Sequence, residues 1–156
     1  MSRSSPEVPK HARNYVLDSF ALLAWLRDEP GAGTVQTLLE DAKKGRTHIY
    51  VSWLNVAEVY YVTKRRSTEP DPELAADKVI EVISSLPIQT ESISKTEAIA
   101  AARLKADYTI SLADAFAAAL AKTFSASVVT GDPEFESIDR NGEVPVLWLP
   151  LKRKRK

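Results

Sequence analysis

Four stretches of this sequence place a carboxylate among residues that otherwise read as core. They are YVLDSFALLAWL (15–26), VSWLNVAEVYY (51–61), ISLADAFAAALA (110–121) and VVTGDPEF (128–135). Their acids are Asp18, Glu58, Asp114 and Asp132. A charge surrounded by hydrocarbon is costly unless something pairs with it. Taken singly, each acid has an ordinary explanation. Asp18 could cap the helix that follows it. Asn55 with Glu58, and Ser111 with Asp114, fit the spacing of a capping box. Gly-Asp-Pro at 131–133 is a turn signal. Taken together they recur at one topological position, where a strand ends and a helix starts. At close range such acids repel strongly, and a divalent cation removes that objection. Oxygen ligands without His or Cys suit Mg²⁺ or Mn²⁺. An ion held this way can activate water and stabilise charge on a phosphate under in-line attack.

The elements that must position these acids follow from the apolar pattern. A short strand ends at Asp18, and a helix follows over 20–27, stopped by DEPGAG. Residues 34–44 form a second helix. THIYVS (47–52) is a strand, and 53–66 is a helix ending in Lys64, Arg65 and Arg66. Pro72 suits the first turn of a helix that runs to about Ser85. IQTE (88–91) is a strand, and helices follow over 94–105 and 110–124. SVVT (127–130) and VPVLWL (144–149) complete the strands. The helix carrying Asp114 is nearly all small and apolar, which predicts deep burial. Strands alternating with helices predict an α/β fold: three layers, with helices on both faces of a five-stranded parallel sheet. Ligands in such sheets bind beyond the carboxyl ends of the strands, where all four acids stand.

The totals are consistent with one domain. The 156 residues are 44% hydrophobic and include no cysteine, which excludes a thiolate nucleophile and a cysteine-held zinc. No secretory signal is visible and no apolar run is long enough for a membrane span, so the expected location is the cytoplasm. Formal charge is zero, yet 152–156 is entirely basic, leaving sixteen basic against twenty-one acidic residues elsewhere. We read 1–13 as a disordered tail, 14–150 as the domain and 151–156 as a basic tail suited to a polyanion such as RNA.

In order and spacing, the four stretches resemble the acidic motifs of PIN-domain ribonucleases, most closely the VapC-type toxins of prokaryotic toxin–antitoxin pairs. The resemblance covers about 15–149. It implies a PIN-like fold and a Mg²⁺- or Mn²⁺-dependent endoribonuclease. Asp18, Glu58, Asp114 and Asp132 would be its catalytic and metal-holding residues. It also implies supporting roles for Ser19, the hydroxyl residue after the first acid, and Thr130, two before the last. Some members carry a further acid two residues after the last one. Glu134 takes that place here, where Asp is commoner, and it lies outside the assigned quartet. Phe20 stands where many members have a small residue. The partners implied are an RNA substrate, a second copy in a homodimer and a cognate antitoxin. The helix pair over about 53–85 would clasp the antitoxin's tail, with EVYYVTKRRS supplying apolar and basic contacts. A PIN nuclease of RNA maturation and a catalytically silent RNA- or protein-binding PIN module are the alternatives.

Other functional classes fit less well. Gly31 to Gly33 lacks the third glycine of a dinucleotide fingerprint and follows a helix. No phosphate-binding P-loop is present, and neither His11 nor His48 has a nucleophile at a recognisable spacing. A receiver-type module needs an acidic pair after its first strand and a lysine after its last. Here Leu17 precedes Asp18, and VPVLWLPLK has no lysine at the strand end.

Overall fold

A computed structural model describes residues 13–151. Almost all of both stretches read as tails, 1–12 and 152–156, therefore lies outside the described residues. The chain runs β1 (Asn14–Leu17), α1 (Ser19–Leu26), α2 (Ala32–Lys43), β2 (His48–Ser52), α3 (Trp53–Arg66), α4 (Pro72–Ser85), β3 (Gln89–Glu91), α5 (Lys95–Asp107), α6 (Leu112–Thr123) and β4 (Ser127–Thr130). A one-turn 3-10 helix (Pro133–Phe135), α7 (Glu136–Arg140) and β5 (Val146–Trp148) complete it. The five strands are all parallel in the order β3-β2-β1-β4-β5. The expected three-layer α/β architecture is the one observed.

Alternation along the central strands builds the layers. Successive side chains of a strand point to opposite faces, and here both faces are covered. Val16 and Val128 join the cluster formed with α5 and α6. Leu17 and Val129 join the cluster formed with α1 to α4. All four are fully buried. Nine consecutive residues of α6, Ala113 to Ala121, are also buried. Alanine is the only side chain at six of those nine positions, so the helix can lie close to the sheet and to α5 together. Asp114 is carried in with it.

The order places β1 beside β4, the point where the sheet winds outward in both directions. Leu17 pairs with Val129 in register. The residues that follow, Asp18 and Thr130, therefore meet at one edge. Three elements stand apart from the sequence expectation. The second helix starts at Ala32, because Gly31 adopts a left-handed φ of 98° and turns the chain directly into it. Beyond the turn signal at 131–133, the sequence pattern assigns nothing to the 3-10 turn and α7, since each is too short to show a full helical period. Their apolar signal is only Phe135 and Ile138, three apart and both buried.

Gly131 ties the two central strand ends together by what it lacks. A Cβ there would lie 2.4 and 2.5 Å from Cε1 and Cζ of Phe20, and 3.1 Å from the Leu149 carbonyl oxygen. The Phe20 ring uses that space. Gly131→Ala should therefore lower stability by roughly 1–3 kcal/mol through overpacking. In a Phe20→Ala background the same change should cost clearly less. Urea unfolding of the four proteins of this cycle measures the coupling, and additive effects would show that the ring and the glycine do not share the space.

Candidate metal centre

Asp18 and Thr130 leave their strands side by side, and the Thr130 hydroxyl joins them. It donates to Oδ2 of Asp18 and accepts from the backbone N–H of Asp132 at 3.0 Å. Oδ1 of Asp18 accepts from the backbone N–H of Ala21 at 2.9 Å, which caps α1. Asp132 caps the 3-10 turn, with Oδ1 accepting from the Glu134 N–H at 2.9 Å. These acids are caps, as their spacing suggests. Capping still leaves them free to bind a cation, because each carboxylate oxygen has a second lone pair.

Asp114 has a different arrangement. Ser111 caps α6 by accepting from the Asp114 backbone N–H at 3.1 Å. In a reciprocal capping box the Asp114 carboxylate would accept from the Ser111 N–H. Glu134 takes that bond instead, through Oε2 at 3.1 Å. Asp114 is only 4% exposed, and its Oδ2 is buried with no hydrogen-bond partner. Oxygens of Asp114, Asp132 and Glu134 all lie within 4.8 Å of one another. Three carboxylates at that spacing repel one another, and a shared proton or a cation between them would relieve it.

The remaining assigned acids stand around this trio. Asp18 is 1% exposed and close enough to Asp114 and Asp132 for their charges to act on one another. Glu58 lies at the edge, half-buried, accepting from the Tyr61 hydroxyl at 3.3 Å. Its partner in the expected capping box is not a cap. Ser52 caps α3, accepting from the Leu54 N–H at 3.2 Å, and Asn55 lies inside the helix. Asn55 is fully buried and donates to Ser19 Oγ at 3.1 Å and to the Ala113 carbonyl at 3.4 Å. It joins the starts of α1, α3 and α6, and it holds Ser19 beneath Asp18. Sequence reasoning missed this role and the place of Glu134 in the cluster. An amide on the buried stripe of α3 was the available signal for the first. For the second there was only the two-residue spacing from Asp132.

Burial dominates the electrostatics. The carboxyl of Asp18 is pushed up to about 7, first by desolvation, with the charges of Asp132 and Glu58 adding to it. The Thr130 and Ala21 donors act in the opposite sense but do not offset burial. Asp114 is likewise raised, by desolvation first and then by Glu134, Asp18 and Asp132. An all-oxygen donor set, a buried carboxylate oxygen without a partner and carboxyls whose pKa burial raises fit a hard divalent cation.

A family model for the PIN domain matches residues 15–141. The chain belongs to the PIN domain family. The fold of this PIN domain is shared with solved toxin–antitoxin structures at low sequence identity. VapBC2 of Rickettsia felis, solved with a promoter DNA fragment, gives a TM-score of 0.67 at 17% identity, covering 88% of this chain and 99% of that one. DNA-bound VapBC of Salmonella typhimurium gives 0.65 at 14%, covering 86% and 96%. VapC20 of Mycobacterium tuberculosis, a sarcin-ricin loop cleaving toxin, gives 0.62 at 16%, covering 88% and 99%. No curated protein matches the sequence.

The raised pKa of Asp18 has a consequence for stability. Between its ordinary value of 3.8 and its folded value of about 7, the folded chain keeps a proton that the unfolded chain has lost. Stability should therefore fall as pH rises through that window when cations are chelated. A bound divalent cation replaces the proton. Differential scanning fluorimetry in chelator should show the melting temperature falling from about pH 4 to about pH 7, and Mn²⁺ should raise it more at the upper end than at the lower. An equal Mn²⁺ effect at both ends would remove these acids as its site.

Proposed function

We propose that this PIN domain is a divalent-metal-dependent endoribonuclease and the toxin of a toxin–antitoxin pair. The observation that carries the reading is Asp114, whose carboxylate has a buried, unpartnered oxygen and clusters with those of Asp132 and Glu134. Asp114, Asp132 and Glu134 would hold Mg²⁺ or Mn²⁺, with Asp18 beside them and Glu58 adding charge from the edge. When bound, the ion supplies Lewis acidity that activates a water and offsets charge on the phosphate.

The protein's own residues do the positioning. Thr130 holds the Asp18 carboxylate and the Asp132 backbone in one relation. Ser111 and Glu134 keep the Asp114 side chain out of its helix's capping bond and turned toward its neighbours. Asn55 and Ser19 lock the underlying helix starts. The start of α6 brings Asp114 into the acid corner through a helix that cannot move without disturbing the sheet.

The partners follow from the same reading: cytoplasmic RNA as substrate, a second copy of the chain, and an antitoxin. For the antitoxin we propose the pair α3 and α4, joined by a Tyr60 hydroxyl to Asp77 bond of 3.0 Å. Leu74 and Val82 of α4 remain exposed there, offering apolar contacts to a partner's tail. Among the described residues, no helix is long and apolar enough to cross a membrane.

Cleavage of purified cellular RNA, with Mg²⁺, with Mn²⁺ and with chelator, is the direct test. Discrete fragments should need metal. Asp114→Asn should lower the rate by about 100-fold while leaving the melting temperature in chelator unchanged or higher, because a neutral amide of the same shape replaces a carboxyl whose ionisation burial opposes. Unchanged cleavage by that variant would refute the assignment. Metal-independent RNA binding without cleavage would favour a silent binding module.

A further inference from the structure

An apolar groove of about 290 Å³ runs directly alongside the acid corner. Its walls are Leu54, Ala57 and Tyr61 of α3 and Leu112 and Ala113 of α6, and it is bounded by Glu58 and Ser111. The groove touches the candidate centre at two points: Glu58 belongs to the assigned acids, and Ser111 donates its backbone N–H to the Glu134 carboxylate and accepts, through its hydroxyl, from the Asp114 backbone N–H. Tyr61 is 45% exposed and Leu112 49% exposed. The Tyr61 hydroxyl donates to Glu58, and the Arg65 guanidinium lies 5.2 Å from the Tyr61 ring centroid.

A chain entering this corner meets a physical conflict. Carboxylates repel phosphates, so a cation can hold the reacting phosphate but little nearby can hold the next one. The neutral part of a nucleotide is its base. Bases stack on aromatic side chains with little regard to sequence, and an adjacent Arg adds attraction to the ring and to a neighbouring phosphate. The groove offers a ring at its edge, hydrocarbon along its walls, and a carboxylate and a hydroxyl residue at its inner end. Glu58 already accepts from the Tyr61 hydroxyl, and a carboxylate has lone pairs for a further donor. A base carries ring or exocyclic N–H groups that can supply one.

We infer that the groove between α3 and α6 receives the unpaired base of a nucleotide flanking the scissile phosphate, with Tyr61 as its stacking platform. This rests on the ribonuclease reading above and adds to it a substrate subsite. It predicts a substrate that is single-stranded at that nucleotide, because a paired base could not leave its stack to enter.

The test uses the full chain and short single-stranded RNA oligonucleotides drawn from a cleaved site. Tyr61→Leu should raise KM roughly tenfold with kcat little changed, the scale of one lost stacking contact. Tyr61→Trp should restore most of it. An abasic nucleotide at the flanking position should weaken wild-type binding by a similar factor and add nothing in Tyr61→Leu. A 2-aminopurine at that position should be quenched on binding to wild type and not to Tyr61→Leu. If wild type binds but cleaves nothing, the ribonuclease reading falls, while the quench still decides the groove. If cleavage is normal and Tyr61→Leu changes neither KM nor quench, the groove falls and the nuclease stands. If Tyr61→Leu or Leu112→Ser instead turns a dimer into a monomer in sedimentation, the groove is a seam between two copies and the inference is overturned.

Discussion

The crowding of carboxylates at one corner, two of them withdrawn from water, is the constraint on which the surrounding structure depends. Asp18 and Asp114 are both buried, and Asp132 and Glu134 stand beside them. Desolvation and mutual repulsion both oppose the ionisation of Asp18 and Asp114. Donors offset part of this: the hydroxyls of Thr130 and Ser111, and the first amides of α1, α6 and the 3-10 turn. Helix starts also present partial positive charge to acids. These terms do not outweigh burial, since Asp18 remains raised to about 7. A fold that keeps such a corner gains nothing in stability from it, which is why the corner reads as functional.

Caps and ligands are one arrangement here rather than competing explanations. A strand that ends and turns into a helix needs an acceptor for the first free amides. An aspartate supplies it and fixes its own rotamer in doing so. Asp18 and Asp132 are each pinned this way by one oxygen, at opposite sides of the Thr130 hydroxyl. The pinning makes the site rigid at no separate cost, because the helices required caps in any case. Asp114 is the exception. Its capping bond is taken by Glu134, and its Oδ2 is left buried without a partner.

Precision at the site comes from the layers beneath. The central strands bury both faces, and α6 presents alanine wherever it must approach. Gly131 leaves room for the Phe20 ring, so the loops after β1 and β4 interlock. Relatives at 14–17% identity keep this fold. A two-faced strand pattern and a small-residue helix can be met by many sequences, whereas few arrangements bring carboxylates to a common point.

From the sequence by itself, the alternation of strands and helices and the position of four acids at their junctions were legible. Both are local: periodicity sets the element, and the junction sets which residue caps it. The parallel three-layer sheet followed, because that alternation leaves few other ways to bury the strands. Only the tertiary structure decided which acids share a corner. Asp114 and Asp132 meet Glu134, whose place depends on a short 3-10 turn with almost no periodic signal. Glu58 stays at the rim beside Tyr61. Asn55, spaced like a cap, lies buried among three helix starts, because Ser52 had already taken the cap. Spacing along the chain cannot rank these outcomes. They depend on which strands are neighbours and on which oxygen reaches a given amide first.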